Sequence, residues 1–135
     1  MKLELSGILK LTQLEIPPHI QDEANTASSE ANLKLLPEEK RHVTLIHQSL
    51  TKGLKGIDLG NIQLPELSFD GAEVVFIEDG ERQTIKIVLG LSDQEKLNLW
   101  VGRFRQEYLP AVELPSREYH VSWANFTGLP GDSVK

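Results

Sequence analysis

The chain has 135 residues, with 14 basic and 20 acidic side chains, a formal charge of −6 and no cysteine. Its length supports one domain with a continuous core. The acidic balance argues against a large non-specific nucleic-acid surface but is compatible with a small nucleotide ligand. Without cysteine, disulfides, thiolate metal sites and cysteine nucleophiles are excluded.

The first fourteen residues alternate and carry three charges, which is unlike a signal peptide and too short for a membrane span. We therefore expect a soluble, cytoplasmic protein with no membrane association.

The first part of the chain is predicted to hold a strand, a helix and another strand. Leucines alternate with polar side chains over residues 3–16, which predicts one strand that ends at Pro17. Ile20 and Ala24 begin a series of small apolar residues at helical spacing, so we expect a helix directly after the prolines. A second strand is predicted over residues 41–47.

The middle of the chain is predicted to be a loop followed by a hairpin. Residues 51–65 hold three glycines, which indicates a loop with a short helical turn. Strands are expected at about residues 73–77 and 83–89, because the apolar runs flank Asp79 and Gly80, a pair typical of hairpin turns.

A longer helix is predicted next. Ser92 and Glu95 have the spacing of a capping box at a helix start, and the helix must end near Leu109 because a proline follows. One apolar stripe of this helix is expected in the core: Leu97, Trp100, Val101, Phe104 and Tyr108. Another strand is expected after Pro115, and residues 126–135 are predicted to form a loop that can fray.

The two ends of the chain also resemble each other. Residues 7–11 align with residues 84–88 at an offset of 77 (84 minus 7), and His42 aligns with His120 at an offset of 78 (120 minus 42). Each part thus runs from a strand through a helix to a strand that carries a histidine motif. We interpret this pattern as an internal duplication, which usually places equivalent residues around a pseudo-two-fold axis.

The candidate chemistry lies in two short motifs. His42 and Thr44 are two positions apart, as are His120 and Ser122, and alternate side chains of a strand share a face. The hydroxyls can donate to phosphate oxygens. One imidazole can act as a base while the other, protonated, acts as an acid, so this chemistry requires no metal or other cofactor.

A third His-x-Ser match, formed by His47 and Ser49, is not assigned to the site. His47 has the opposite parity to His42, which directs it to the other face of the same strand.

The other residues near the motifs are predicted to have structural roles. Arg41 and Tyr119 have the opposite parity to the histidines and should point away from a cleft, and Trp123 is expected to pack in the core. Three basic side chains could reach a phosphate, although a solvated position is favoured for each: Lys10, Arg82 and Lys86.

Paired His-x-Thr/Ser motifs in a duplicated chain resemble the two-histidine (2H) phosphoesterase superfamily. That superfamily includes 2′-5′ RNA ligase or RNA 2′,3′-cyclic phosphodiesterase types, eukaryotic cyclic phosphodiesterases and compact phage enzymes that cleave cyclic-nucleotide defence signals. The resemblance implies an α+β, bilobal fold over residues 1–135, in which two antiparallel-sheet lobes with outer helices, about residues 3–47 and 83–126, surround a central cleft. It also implies catalysis by His42 and His120 and phosphate binding by Thr44 and Ser122.

The expected function is that of a metal-independent phosphodiesterase, a hydrolase that cleaves a cyclic nucleotide or short cyclic oligonucleotide and degrades a second messenger in anti-defence. The alternatives are an RNA 2′,3′-cyclic phosphodiesterase or 2′-5′ RNA processing enzyme, and a non-catalytic nucleotide-binding module of the same fold. No stable duplex nucleic-acid partner is expected.

Overall fold

The computed structural model describes residues 1–134 and confirms the α+β class. Within these residues, helices α1 (Pro18–Glu30) and α2 (Leu91–Tyr108) accompany one antiparallel sheet of seven strands. The strands are β1 (Lys2–Ser6), β2 (Ile8–Thr12), β3 (Lys34–Leu35), β4 (Val43–Ile46), β5 (Glu73–Asp79), β6 (Arg82–Val88) and β7 (His120–Asn125). No helix in this part of the chain is both long enough and apolar enough to cross a membrane.

The prediction of a single strand over residues 3–16 is wrong, because the chain reverses at Gly7. β1 and β2 form a hairpin in which Ser6 pairs with Ile8, and Gly7 has a φ of 74°, a conformation that glycine adopts without steric cost. The turn is centred on one residue. Leu5 therefore pairs with Leu9 on the same face, and the alternation continues through the turn as it would in one strand.

The sheet consists of two groups of strands that meet at a narrow seam. The strand order is β1-β2-β4-β7-β6-β5, with β3 also paired to β7. β4 and β7 pair at Val43 and Val121, whereas each flanking hairpin is paired along its whole length. The described strands thus form one continuous sheet, in which each part of the chain runs through a hairpin, a helix and a central strand. The bilobal arrangement and the internal duplication stay predictions.

One face of this sheet carries the core. Buried side chains alternate along the strands on this face: Leu9, Leu11, Val43, Ile87 and Val121. They belong to the same hydrophobic core as buried residues of the two helices: Ile20, Ala24, Leu97, Val101 and Phe104. Trp100 and Tyr108, predicted in the same stripe of α2, are half-buried against this core. The helices therefore cover one face and leave the other available for a site.

Each helix also crosses from its own part of the chain to the other. α1 contacts β5, β6 and β7, and α2 contacts β4. The indole Nε1 of Trp123 on β7 donates to Asn25 Oδ1 on α1 over 2.9 Å. The helices thus hold together two groups of strands that pair little with each other.

The predicted capping box at the start of α2 is wrong. The helix begins at Leu91, its N-cap is Gly90, and no side chain caps it. Asp93 is instead fully buried and accepts hydrogen bonds from the backbone N–H groups of Ser68 and Phe69 over 3.1 and 2.8 Å. Contacts with a preceding loop therefore position the first turn. The helix ends at Tyr108, which confirms the predicted end.

The remaining connections agree with the sequence except at the tail. Residues 51–65 contain two short 3₁₀ turns, and β5 and β6 form the predicted hairpin. Hydrogen bonds hold the tail in place up to Val134, unlike the predicted frayed loop. The N–H of Val134 donates to Thr84 Oγ1 over 2.7 Å, and Asn125 Nδ2 donates to Ser133 Oγ over 2.9 Å. Fraying of Lys135 lies outside the described residues.

Candidate active site at the strand seam

The residues predicted to form the site come together at the seam between β4 and β7. We call them the motif residues: His42, Thr44, His120 and Ser122. Val43 and Val121, the register pair of the seam, are fully buried and point into the core. Each motif residue flanks one of these valines and is half-buried, so all four side chains point to the face that the helices leave uncovered.

The antiparallel register arranges the motif residues as two diagonals. Continuing the antiparallel register by one residue on either side of the valine pair places His42 beside Ser122 and Thr44 beside His120. The two histidines therefore lie diagonally across the seam, as do the two hydroxyl residues. In a regular antiparallel pair such diagonal neighbours are roughly 7–8 Å apart. That separation suits two imidazoles on opposite sides of one phosphate.

Both imidazoles are anchored in the same way. Nδ1 of His42 donates to the carbonyl oxygen of Lys40 over 2.9 Å, and Nδ1 of His120 donates to that of Glu118 over 3.3 Å. A carbonyl oxygen only accepts, so the proton of each neutral ring lies on Nδ1. Nε2 of each ring is then left to accept a proton from a ligand.

The pKa of His42 is lowered. Burial of the ring is the largest cause, because it disfavours the charged form. The hydrogen bond to the Lys40 carbonyl opposes this effect, whereas the positive charges of Lys10 and Arg117 lower the pKa further.

The pKa of His120 is lowered as well, again mainly by burial. Lys86 and Arg117 add to the decrease, and the carbonyl and carboxylate of Glu118 oppose it. Arg117 thus acts on both histidines, which is consistent with two rings on one face. The sequence did not predict a role for Arg117, because it lies in the connection before β7 and belongs to neither motif.

Two lysines lie beside the hydroxyl residues on the outer neighbouring strands. Lys10 of β2 is the register partner of Thr44, and Lys86 of β6 is the register partner of Ser122. The side chain of Lys86 is 12% exposed, with Nζ 3.2 Å from Glu118 Oε1. The prediction of a solvated Lys86 is therefore wrong, whereas Arg82, at the far end of the hairpin, is exposed as expected.

The alignment of the two parts of the sequence hid the equivalence of these lysines. Lys10 and Lys86 differ by 76 positions (86 minus 10), whereas the offset of 77 used for residues 7–11 matches Lys10 with Ile87. A shift of one residue moves a strand side chain to the other face. The alternation of polar and buried residues within each strand identifies the two lysines as equivalent more reliably than the alignment does.

The residues predicted to point away from the site do so. The guanidinium of Arg41 lies 3.8 Å from the ring centroid of Trp123, and Trp123 and Tyr119 are 1% and 2% exposed. The prediction that His47 lies on the other face of the same strand is wrong, because β4 ends at Ile46 and His47 begins a short 3₁₀ turn. His47 is exposed, and its Nδ1 is 3.2 Å from Ser49 Oγ. The third His-x-Ser match is therefore not brought to the motif residues.

Two grooves on the surface lie away from the motif residues. One of about 570 Å³ lies between residues 61–66 and α2, and one of about 650 Å³ lies between α2 and residues 110–116. None of the motif residues lines either groove. Among residues 1–134, no group of three or more histidine, aspartate or glutamate side chains is placed to hold a metal ion.

Comparison of the chain with protein-family models, curated proteins and solved structures finds no match. The relation to the 2H phosphoesterases therefore stays a prediction that depends on the motifs.

Proposed function

We propose that this protein is a metal-independent phosphodiesterase of the 2H type, acting in the cytoplasm on a cyclic nucleotide or a short oligonucleotide. The observation that supports the proposal is the placement of the four motif residues on one uncovered face of the sheet, with the histidines on one diagonal and the hydroxyls on the other.

The hydroxyl diagonal supplies the donors for the phosphate. Thr44 Oγ1 and Ser122 Oγ each donate to a non-bridging phosphate oxygen and stabilise the charge that develops there as the nucleophile adds. Both hydroxyl residues lie on strands that are already paired in the free protein, so little rearrangement is needed when the substrate binds.

The histidine diagonal moves the protons. Nε2 of the neutral imidazole takes a proton from water, or from a ribose hydroxyl, while that oxygen forms a bond to phosphorus. The protonated imidazole gives its proton to the leaving oxygen as the old P–O bond breaks. The two rings have then exchanged protonation states, and exchange with solvent restores them.

The lowered pKa values of the two rings fit this sequence of events. Burial and nearby cations favour neutral imidazoles in the free protein. The negative charge of a bound phosphate raises the pKa of an adjacent imidazole and so favours protonation of one ring when substrate is present. The site then holds one base and one acid.

The proposal is tested by turnover of defined substrates in the presence of EDTA. The panel contains a 2′,3′-cyclic mononucleotide, 2′-5′ and 3′-5′ linked dinucleotides and a cyclic dinucleotide. His42→Ala and His120→Ala are each expected to lower kcat by about 10²–10⁴-fold, the usual contribution of one positioned acid or base. His47→Ala is the matched control and is expected to leave kcat unchanged, because His47 lies outside the site.

Unchanged turnover in both site variants contradicts the mechanism. Activity that EDTA abolishes indicates a metal enzyme. Binding of these nucleotides without turnover of any of them indicates the alternative of a non-catalytic nucleotide-binding module.

A further inference from the structure

We infer that the ligand of this site carries more than one phosphate, and that Lys10 and Lys86 bind the phosphates adjacent to the scissile one. This inference rests on the proposed function and specifies its substrate class: an oligonucleotide, linear or cyclic, with a phosphate on each side of the scissile one, in preference to a mononucleotide.

The first argument is the register of the sheet. Lys10 is paired with Thr44 and Lys86 with Ser122, so each lysine lies on the outer side of one hydroxyl residue and on the same face. Neighbouring strands are about 4.8 Å apart, and β2 and β6 are three spacings apart, which separates the two backbones by about 14 Å. A phosphate held between the hydroxyls thus has one cation on each side, toward which a neighbouring phosphate extends.

The second argument is the electrostatic effect of these cations. Lys10 lowers the proton affinity of His42, and Lys86 lowers that of His120. In a protein with a formal charge of −6, placing each lysine near a ring that must carry a proton during turnover is unfavourable for catalysis alone. The arrangement becomes favourable when anionic groups beyond the scissile phosphate occupy the same face.

The third argument is the environment of Lys86. Its side chain is 12% exposed, and the carboxylate that it contacts belongs to Glu118, whose side chain is 60% exposed. Because most of the Lys86 side chain is buried, its ammonium group has few positions open to it and lies beside this carboxylate, whereas an exposed carboxylate can move into water when a phosphate replaces it. Glu118 therefore holds Lys86 in the free protein and is displaced when the ligand binds.

The test is binding of a cyclic trinucleotide, which carries one phosphate on each side of the scissile one, and of a 2′,3′-cyclic mononucleotide, measured by isothermal titration calorimetry in the His120→Ala background so that neither ligand is cleaved. Lys10→Gln and Lys86→Gln are each expected to raise the Kd of the trinucleotide by about tenfold, the loss of one charge-assisted hydrogen bond, and the Kd of the mononucleotide by no more than about twofold. Lys96→Gln, which removes the same charge from the exposed side of α2, is the control and should change neither Kd.

Two further measurements separate ligand binding from a structural role. Each lysine variant should reduce the slope of log Kd against log salt concentration by about one for the trinucleotide. Glu118→Gln should tighten trinucleotide binding severalfold, because it releases Lys86.

The inference is overturned if the lysine variants weaken both ligands equally, or if the trinucleotide binds no more tightly than the mononucleotide when both lysines are present. Either result leaves the proposed phosphodiesterase activity standing. Lysine-dependent trinucleotide binding, together with undiminished turnover in His42→Ala and His120→Ala, supports the lysine assignment and contradicts the two-histidine mechanism.

Discussion

The two motif strands present the same side chains but are held in place differently. At the first, the residue before the histidine is Arg41, whose guanidinium stacks on Trp123 of the other strand. At the second, the corresponding residue is Tyr119, whose backbone N–H and C=O both bond to the side chain of Gln94 over 2.8 Å. The shared geometry of the histidines therefore comes from the strands and the seam, and the supporting contacts are free to differ.

The charges around the two histidines differ as well. His42 has only cationic side chains, Lys10 and Arg117, among the groups that change its pKa. His120 has two cations and also the carboxylate of Glu118. The pKa of His120 is therefore influenced by a carboxylate, that of Glu118, whereas the pKa of His42 is not influenced by any carboxylate.

The largest expected effect concerns the contact that joins the two strands. Trp123→Ala removes a side chain that is 1% exposed, together with its bond to Asn25 and its contact with Arg41. We expect the free energy of unfolding to fall by about 3–5 kcal/mol, measured by urea denaturation. Phe126→Ala, at an aromatic that is 49% exposed, should change it by no more than about 0.5 kcal/mol. A loss below about 1 kcal/mol at Trp123 means that the two strands are held together by other contacts.

A somewhat smaller effect is expected at the hydroxyl diagonal. Thr44→Val and Ser122→Ala each remove a donor to the phosphate while keeping the strand, and each should lower kcat by about 10²–10³-fold. Steady-state kinetics on whichever nucleotide of the test panel the protein cleaves measures the change. Ser49→Ala removes an exposed hydroxyl from the third His-x-Ser match and should have no effect. If only one of the two site variants loses activity, the strands are not equivalent in catalysis.

The smallest effect distinguishes the two histidines directly. Glu118→Gln removes a negative charge that stabilises the protonated form of His120, so the pKa of His120 should fall, whereas that of His42 should not change. Imidazole resonances followed by NMR through a pH titration of the free protein report both values. A rise in the pKa of His120, or an equal shift at His42, is incompatible with the charges described here.

The sequence predicted those parts of the site that depend on local geometry. Strand parity placed His42 and Thr44 on one face, because alternation requires only a few consecutive extended residues. His47 lies outside the site for a different reason, because the strand ends at Ile46. Strand parity also assigned Trp123 to the core correctly. The pairing of the two motifs across the seam depended on the recognised pattern and on their repetition, because a single His-x-Thr match carries little information.

The features that the sequence did not predict either depend on contacts between distant parts of the chain or leave the local alternation of side chains unchanged. The turn at Gly7 leaves the alternation of leucines unbroken, so periodicity could not reveal it. The positions of Lys10 and Lys86 depend on register between strands that are distant in the chain, which the pattern within one strand does not determine. Asp93, rather than Ser92, stabilises the start of α2, because the loop at Ser68 supplies backbone donors that no local rule anticipates.

The position of β7 has a consequence for how the protein folds during synthesis. β7 is the last strand along the described chain, yet it lies at the centre of the sheet, between β4 and β6. Until it emerges from the ribosome, β4 and β6 each have an unpaired edge, and α1 lacks one of the strands on which it packs. Long-range pairing of this kind delays folding of the sheet until β7 is available. The two histidines are therefore brought together only after β7 has been synthesised, and no intermediate that lacks β7 contains the site.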